Sequence, residues 1–288
     1  MSSDSISLGV IGGSGLYAMP GLTNIQEIVV STPFGAPSDA VILGTLNGRR
    51  VAFLPRHGRG HRLNPSEVNY RANIYALKSL GVKHVVSVSA CGSLRHEMKP
   101  RDIVVPDQLF DFTKGRRAAS FYDDGAVGHA SVGEPFSHSL RSAVIDAVRT
   151  SGGTVHERGT LITIEGPRFS TKAESHAFRA WGCDVIGMTA SPEAFLAREA
   201  EMDFAIMAHV TDYDVWREEE GEVTVEIVIE RLHQNLALAQ QAITRIVDAA
   251  PALPHETAGV MRFAVMTARE RIPSAARERL ALIAGAYL

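Results

Sequence analysis

Residues 165–189 read EGPRFSTKAESHAFRAWGCDVIGMT. A Gly-Pro turn leads into an aromatic residue, Phe169, and two hydroxyl side chains. A helix-like segment follows, and a short apolar strand at residues 183–186 then ends in a Gly-Met-Thr sequence. A helical segment followed by a short apolar strand is typical of proteins in which helices cover a mostly buried sheet.

Further apolar runs of strand length occur on both sides of this stretch. The complete set of predicted strands lies at residues 7–11, 41–46, 51–54, 84–88, 103–105, 160–164, 183–186 and 204–209. Several are continuous Val and Ile runs, as expected for strands that are buried on both faces. The sequence therefore predicts an α/β fold, a single domain with a central mixed β-sheet flanked by helices.

Capping residues indicate where several helices begin and end. Residues 64–67 (NPSE) offer an N-cap, a proline at the first helical position and an acid three residues after the cap. Gly81 provides a left-handed C-cap for the same helix. Residues 191–193 (SPE) repeat the start signal, and apolar residues recur on one helical face from residue 228 to residue 247.

The chain is predicted to form one main domain with an appendage. Its 288 residues suffice for one large domain. Pro251 and Pro254 interrupt the pattern after the long helix. Residues 1–250 are therefore predicted to form the main domain, and residues 251–288 a C-terminal helical extension packed on it.

The composition excludes several classes of protein. Lys and Arg number 29 against 32 Asp and Glu, and a net charge of −3 argues against binding to nucleic acid or a membrane surface. No apolar run approaches the roughly 20 residues of a spanning helix, and the N-terminus lacks a signal pattern. Cys91 and Cys183 form neither a metal-binding spacing nor a disulfide framework. We therefore expect a cytoplasmic protein without a metal.

Residues suited to binding an anion follow four of the predicted strands. They are residues 12–15 (GGSG), residues 56–61 (RHGRGH), residues 89–93 (SACGS) and Thr189. Each alone has a plainer interpretation, as a tight turn or a solvated basic loop. Ligands collect at the carboxyl ends of strands in open α/β sheets. The four together therefore predict a phosphate-sized site built from Ser14, Arg56, His57, Ser89 and Thr189.

Two carboxylates, Asp212 and Asp214, follow the last predicted strand. A carboxylate accepts a hydrogen bond from an exocyclic amine, and a protonated carboxyl donates to a ring nitrogen. Metal binding is disfavoured because no histidine or third acid stands at a suitable spacing before Glu218. An acid-rich surface turn is the alternative. Cys91 is a poor candidate nucleophile, because no base accompanies it in the sequence.

Several motifs together resemble the methylthioadenosine phosphorylases of the trimeric purine nucleoside phosphorylase family. In chain order they are GVIGGSGLY, TPFGAPSD, LPRHGRGH, NPSEVNYRANIYALK, SACGSL, the stretch at residues 165–189, SPEAFLAREAEM and TDYDVW. The resemblance implies a phosphorylase/hydrolase-like fold and the phosphorolysis of 5′-methylthioadenosine to adenine and 5-methylthioribose 1-phosphate, in methionine and purine salvage. It also implies inorganic phosphate as co-substrate, no cofactor, and a homotrimer or a dimer of trimers.

The resemblance implies a role for each matching residue. The phosphate-binding residues are Ser14, Arg56, His57, Ser89, Ala90 and Thr189. The nucleoside-binding residues are Phe169, Met188, Gly187, Cys91, Gly92, Val228 and, from a neighbouring subunit, His129. The catalytic residues are Asp212, Asp214 and Ser170, with Asp212 at N7 of the purine. Ser89 stands where many relatives have Thr, and Gly187 where many have Asn.

The acid pair favours a 6-aminopurine, because a 6-oxo group would set acceptor against acceptor at a cost of about 1–3 kcal/mol. A purine nucleoside phosphorylase of broader specificity, for adenosine or for 6-oxopurine nucleosides such as inosine or methylthioinosine, is the alternative. The glycine spacing disfavours a dinucleotide-dependent dehydrogenase, and the lack of N-terminal acids disfavours a metal-dependent nucleoside hydrolase. A non-catalytic nucleoside or phosphate sensor is the remaining class.

Overall fold

The structure is a computed structural model that describes residues 5–13, 15–217 and 223–288. Its strands are β1 (Ile6–Gly12), β2 (Thr23–Ile28), β3 (Val41–Leu46), β4 (Arg49–Pro55), β5 (His84–Ser93), β6 (Ile103–Val104), β7 (Gln108–Phe112), β8 (Val155–His156), β9 (Thr160–Ile164), β10 (Val185–Gly187) and β11 (Asp203–Asp212). Its α-helices are α1 (Tyr70–Ser79), α2 (His138–Thr150), α3 (Lys172–Ala180), α4 (Ala190–Glu199), α5 (Val225–Ala249) and α6 (Ser274–Ala284).

All these strands form one mixed sheet. Its main path is β2-β3-β4-β1-β5-β10-β9-β7, and β11 pairs with β5 and β6, while β8 pairs with β6. Strands β1, β4, β5 and β11 are parallel to one another, whereas β10 is antiparallel to β5 and parallel to β9. The carboxyl ends of β1, β4, β5 and β11 therefore lie at one edge of the sheet. Strand β10 runs in the opposite direction to these four strands.

Apolar side chains cover both faces of the sheet. One core cluster includes Ile74 of α1, Leu196 of α4 and Leu280 of α6. The other includes Val144 of α2 and Ile243 of α5. This arrangement of a central mixed sheet between two helical layers confirms the predicted fold class.

The predicted strands are recovered best where both faces are buried. The strands at 41–46 and 160–164 have the predicted bounds. Strand β5 extends to Ser93, so residues 89–93 belong to the strand and do not form the predicted loop after it. Strands β2 and β7 were not predicted, because their exposed faces break the apolar pattern.

The helix predicted to begin at Asn64 begins instead after Asn69. Asn64 Oδ1 accepts from the backbone N–H groups of Ser66 (2.9 Å) and Glu67 (3.2 Å), and Glu67 accepts from Asn64 N, which closes a separate turn. Asn69 is the N-cap of α1 and accepts from Ala72 N. At the second predicted start, Ser191 is extended (φ −103°, ψ 134°), and Thr189 is the N-cap of α4.

The C-terminal segment packs against the rest of the chain. Leu280 and Ile283 of α6 lie in the same core cluster as Ile74 and Leu77 of α1. The division of the chain at residue 250 stays a prediction. None of the described helices is long and apolar enough to cross a membrane.

A buried histidine in β11 makes the stability of the fold depend on pH. His209 is 2% exposed, and neither ring nitrogen has a hydrogen-bond partner among the described residues. Burial lowers the pKa of this imidazole from 6.5 to about 4. Between those two pH values only the unfolded chain takes up the proton, so the free energy of unfolding falls as the pH falls.

We expect His209→Met to remove this loss of stability. Met fills a similar volume and leaves no polar nitrogen unpaired. Between pH 7.5 and pH 5, the wild type should lose about 2 kcal/mol more unfolding free energy than the variant. Urea unfolding of both proteins at the two pH values measures this difference. Other titrating groups are common to both proteins, so equal losses in the two would contradict the assignment to His209.

Candidate active site

The strand ends bring together residues that are distant in the sequence. Arg56 follows β4, and its backbone N–H donates to the carbonyl of Gly12 at the end of β1 (3.0 Å). Gly187, the last residue of β10, lies close to Ala90 in β5. A Cβ atom placed on Gly187 would be 3.8 Å from the carbonyl oxygen of Ala90. A Cβ atom on Gly92 would lie only 2.8 Å from Asp212 Oδ1, so glycine permits the close approach of β5 and β11 there. Ser14 lies outside the described residues.

Arg56 is a buried cation held by a buried anion. Arg56 is 2% exposed and Glu193 is fully buried, and Nε donates to Glu193 Oε1 (2.9 Å). Nη2 donates to Ser87 Oγ (2.6 Å), which in turn donates to Glu193 Oε2 (2.7 Å). Nη1 donates to the carbonyl of Val88 (3.2 Å) and has a second hydrogen that can reach a ligand. Glu193, Ser87 and the backbone carbonyl groups therefore occupy the other donors of Arg56, which leaves one N–H of Nη1 for a ligand.

His57 is neutral at pH 7. Its Nδ1 lies 2.8 Å from the carbonyl of Leu63, which can only accept, so Nδ1 carries the proton and Nε2 has the lone pair. Burial, and then the charge of Arg56, lower the pKa of His57 to about 4. Its ring stacks on His61, with ring centroids 4.3 Å apart. The neutral imidazole can therefore accept a hydrogen bond at Nε2 from the O–H of a protonated phosphate.

The basic loop at residues 56–61 is less cationic than its sequence indicates. The guanidinium of Arg59 donates to both Glu27 and Asp39. Since Arg56 is also paired, the charges of this loop are largely balanced by protein carboxylates. An anion would therefore depend on fixed N–H and O–H groups more than on net charge.

Thr189 adds a hydroxyl at the start of the segment that carries Glu193, the partner of this cation. It is 8% exposed, and its side chain makes no capping hydrogen bond. Ser191 is extended, so the continuous helix begins after that residue and not at Thr189. Ser89 and Ala90 of β5 are half-buried beside Val88, whose carbonyl accepts from Arg56. The structure thus gathers five of the six predicted phosphate residues around the ends of β4, β5 and β10.

The acid pair sits at the end of β11. Asp212 Oδ1 accepts from Asp214 N (2.8 Å), and its Oδ2 accepts from Thr211 Oγ1 (2.6 Å). Asp214 is 7% exposed, and its Oδ2 has no hydrogen-bond partner among the described residues. Burial raises the pKa of Asp214, while the hydroxyls of Ser175 and Ser170 face it and favour the charged form without reaching hydrogen-bond geometry. The structure therefore places Ser170 with the two acids.

Two other loops contribute apolar surface. Phe169 is 37% exposed, and Met188 is half-buried. A Cβ atom on Gly166 would lie 2.6 Å from Met188 Sδ, so the loops carrying Phe169 and Met188 are in contact. The thiol of Cys91 is buried, and burial raises its pKa, so it stays a thiol rather than a nucleophilic thiolate.

His129 and Val228 lie on more peripheral elements. Val228 is half-buried in the first turn of α5. His129 is exposed, and its backbone N–H donates to the carbonyl of Ala264 (2.8 Å). An adjacent isolated antiparallel β-bridge joins Gly128 to Val265. The C-terminal segment therefore holds the loop that carries His129.

Sequence reasoning missed three buried residues that support the site. Ser87 and Glu193 fix Arg56, and Arg117 donates to the carbonyl groups of Glu165 and Met188. Glu193 has the pattern of a helix-start acid, and Arg117 that of a solvated basic run. Their roles depend on partners far away along the chain, and no local signal marks them. The roles of the predicted site residues themselves stay predictions.

Comparisons with known proteins identify the family of this chain. The model of the phosphorylase superfamily matches residues 7–250. The S-methyl-5'-thioadenosine phosphorylase of Chloroflexus aurantiacus is 54% identical over 98% of this chain and 99% of its own, and that of Geobacter sulfurreducens 49% identical over the same shares. The crystal structure of a methylthioadenosine phosphorylase from an antarctic soil metagenomic library is 45% identical, covers 97% of this chain and 99% of its own, and superposes with a TM-score of 0.92. The chain therefore belongs to the phosphorylase superfamily and, within it, to the methylthioadenosine phosphorylases.

Proposed function

We propose that this protein cleaves 5′-methylthioadenosine with inorganic phosphate, giving adenine and 5-methylthioribose 1-phosphate. One observation carries the proposal: the Asp212–Asp214 pair at the end of β11 lies at the same sheet edge as Arg56, which follows β4, and Thr189, which follows β10. This arrangement joins an acceptor for an amine to a site for an anion. The relatives with this name supply the substrate class, and phosphate is the only co-substrate that the proposal needs.

The phosphate half of the site works by position. Arg56 Nη1 and the hydroxyls of Thr189 and Ser89 hold the anion, and Nε2 of His57 accepts a hydrogen bond from its O–H. Holding phosphate against C1′ makes its attack effectively unimolecular, which lowers the barrier by about 7–11 kcal/mol in well-aligned systems. The bound anion also stabilises positive charge that develops on the ribose as the glycosidic bond breaks.

The acid pair receives the charge that leaves with the base. The departing adenine gains negative charge at N7, and a carboxyl that donates there stabilises it. The second carboxyl accepts from the 6-amino group. Burial raises the pKa of Asp214, which favours the protonated form of that carboxyl. Ser170 then completes the polar edge around the base, and Phe169 packs on its face.

The experiment that tests this function measures release of free base from four nucleosides. Methylthioadenosine, adenosine, inosine and methylthioinosine are each incubated with and without phosphate. We expect phosphate-dependent release of adenine, fastest from methylthioadenosine. Faster release of hypoxanthine would preserve the phosphate site but overturn the assignment of the base. No turnover of any of the four would indicate a binding protein.

We further propose that the active form is a homotrimer, in which His129 reaches the nucleoside of a neighbouring subunit. Its exposure supports this role, as does the apolar surface beside it: Phe263 is 93% exposed, Met266 71% and Val127 46%. Such a surface is typical of a protein–protein interface. Light scattering gives the mass directly, and a monomer would remove His129 from the site. Because both cysteines are free, we also propose a reducing, cytoplasmic location.

A further inference from the structure

Arg117 is a buried arginine that links two loops of the active site. It is 7% exposed. Nη1 donates to the carbonyl oxygens of Met188 and Ser191, each at 2.7 Å. Nη2 donates to the carbonyl oxygen of Glu165 (2.8 Å), and Nε lies 3.4 Å from Glu165 Oε1. One guanidinium therefore joins residues 165–170, here called the nucleoside loop, to residues 188–191, here called the phosphate loop.

The guanidinium is itself held in place from a third direction. It lies over the ring of Tyr70, with its central carbon 5.3 Å from the ring centroid, and Nη1 is 3.1 Å from the Tyr70 hydroxyl. Tyr70 donates to the carbonyl of Pro65 (3.0 Å), and Ser66 donates to Glu165 Oε1 (2.5 Å). The start of α1 therefore fixes Arg117 against the core, so the two loops are attached to a rigid support.

The two loops carry predicted contacts to both substrates. The nucleoside loop presents Phe169 and Ser170, and the phosphate loop presents Thr189 for the anion and Met188 for the nucleoside. Attack at C1′ needs the two reactants aligned, and misplacement by about 1 Å can cost a hundredfold in rate. We infer that Arg117 is a positioning residue for this reaction, which sets the nucleoside loop and the phosphate loop at the separation that the two substrates require. The inference rests on the proposed function.

Only arginine meets this geometry. The planar fork of N–H groups points in two directions at once and so reaches carbonyl groups on both loops. A lysine at residue 117 would carry the charge on a single nitrogen, which cannot reach Glu165 and Ser191 together. The charge alone is therefore expected to be insufficient.

The test compares Arg117→Met and Arg117→Lys with a matched control, Arg141→Met. Arg141 is half-buried, and like Arg117 it joins two segments, since it donates to the carbonyl groups of Pro106 and Glu157. Its contacts are to segments on the α2 side and not to either loop. The readouts are the melting temperature, kcat, and KM for methylthioadenosine and for phosphate, measured at a temperature where all variants are folded.

We expect both Arg117 variants to raise the two KM values by about tenfold or more and to lower kcat, whereas Arg141→Met lowers only the melting temperature. Added guanidinium ion should restore part of the activity of Arg117→Ala and leave the activity of Arg141→Ala unchanged. Wild-type KM and kcat in the Arg117 variants would overturn the inference and leave a structural role. If the wild type itself turns over no nucleoside, calorimetric binding of adenine with phosphate gives the same comparison without turnover, and unchanged affinity in Arg117→Met would overturn the inference.

Discussion

Asp212→Asn is expected to lower kcat/KM for methylthioadenosine by about a hundredfold or more. An asparagine can keep both local hydrogen bonds, since its oxygen can accept from Asp214 N and its amide can donate to Thr211 Oγ1. The substitution therefore removes the charge and the acidic proton without disturbing the turn. The variant therefore lacks the carboxyl that stabilises the leaving base. Steady-state kinetics with methylthioadenosine and phosphate measure the effect.

The pattern across substrates distinguishes this role from a structural one. The KM for phosphate should change little, because Arg56 and Thr189 are untouched. Activity on inosine and methylthioinosine should rise relative to methylthioadenosine, since an amide can donate to a 6-oxo group. Asp184→Asn is a suitable control, because Asp184 is also half-buried and accepts two hydrogen bonds, from Arg95 and Thr160, at the start of β10. Equal losses of rate and phosphate affinity in Asp212→Asn would point to damage to the fold.

Glu193→Gln is expected to destabilise the protein by about 3–5 kcal/mol, because it leaves the charge of Arg56 buried without its partner. The guanidinium should then turn towards other acceptors, so the Nη1 hydrogen loses its fixed direction. We therefore also expect the KM for phosphate to rise by about tenfold or more, while the KM for the nucleoside changes less. Urea unfolding and initial rates at varied phosphate measure the two effects.

Glu199→Gln is the matched control for this change. Glu199 lies on the same helix, α4, and accepts from Ser120 Oγ (2.8 Å) and Phe121 N (2.7 Å). Burial raises the pKa of Glu199 to about 7, so near neutral pH a neutral amide replaces a carboxyl that is already partly protonated. Glu199→Gln should therefore lower the free energy of unfolding much less than Glu193→Gln does. Similar stability in both variants, with unchanged phosphate kinetics, would show that the Glu193 pair does not hold Arg56.

The sequence predicts an element well where local pattern and burial agree. Strands β3 and β9 are apolar over their whole length, and their bounds were predicted correctly. The predicted start of α1 was wrong, because Asn64 and Asn69 are both suitable N-cap residues. The choice depends on tertiary contacts, since the side-chain amide of Asn69 donates to the carbonyl groups of Phe34 (2.7 Å) and Ala36 (3.2 Å). No local pattern contains that information.

The same limit applies to the site. Residues with obvious chemistry at strand ends, such as Arg56 and Asp212, could be identified because strand ends of a parallel sheet share an edge. Their partners could not be identified, since those partners are brought in by folding. Glu193 is 137 residues from Arg56 in sequence, and it changes Arg56 from a free cation into half of an ion pair.

The attachment of the His129 loop to the C-terminal segment has a consequence for recombination among relatives. Val127 N–H donates to Thr267 Oγ1 across 140 residues of sequence, and the carbonyl of Val127 accepts from Met266 N (2.8 Å). The two segments are therefore one structural unit encoded in two places. A chimaera that takes residues 251–288 from a relative must also take residues 126–130 from that relative. Otherwise the loop and the segment that holds it come from different proteins, and their contacts are mismatched.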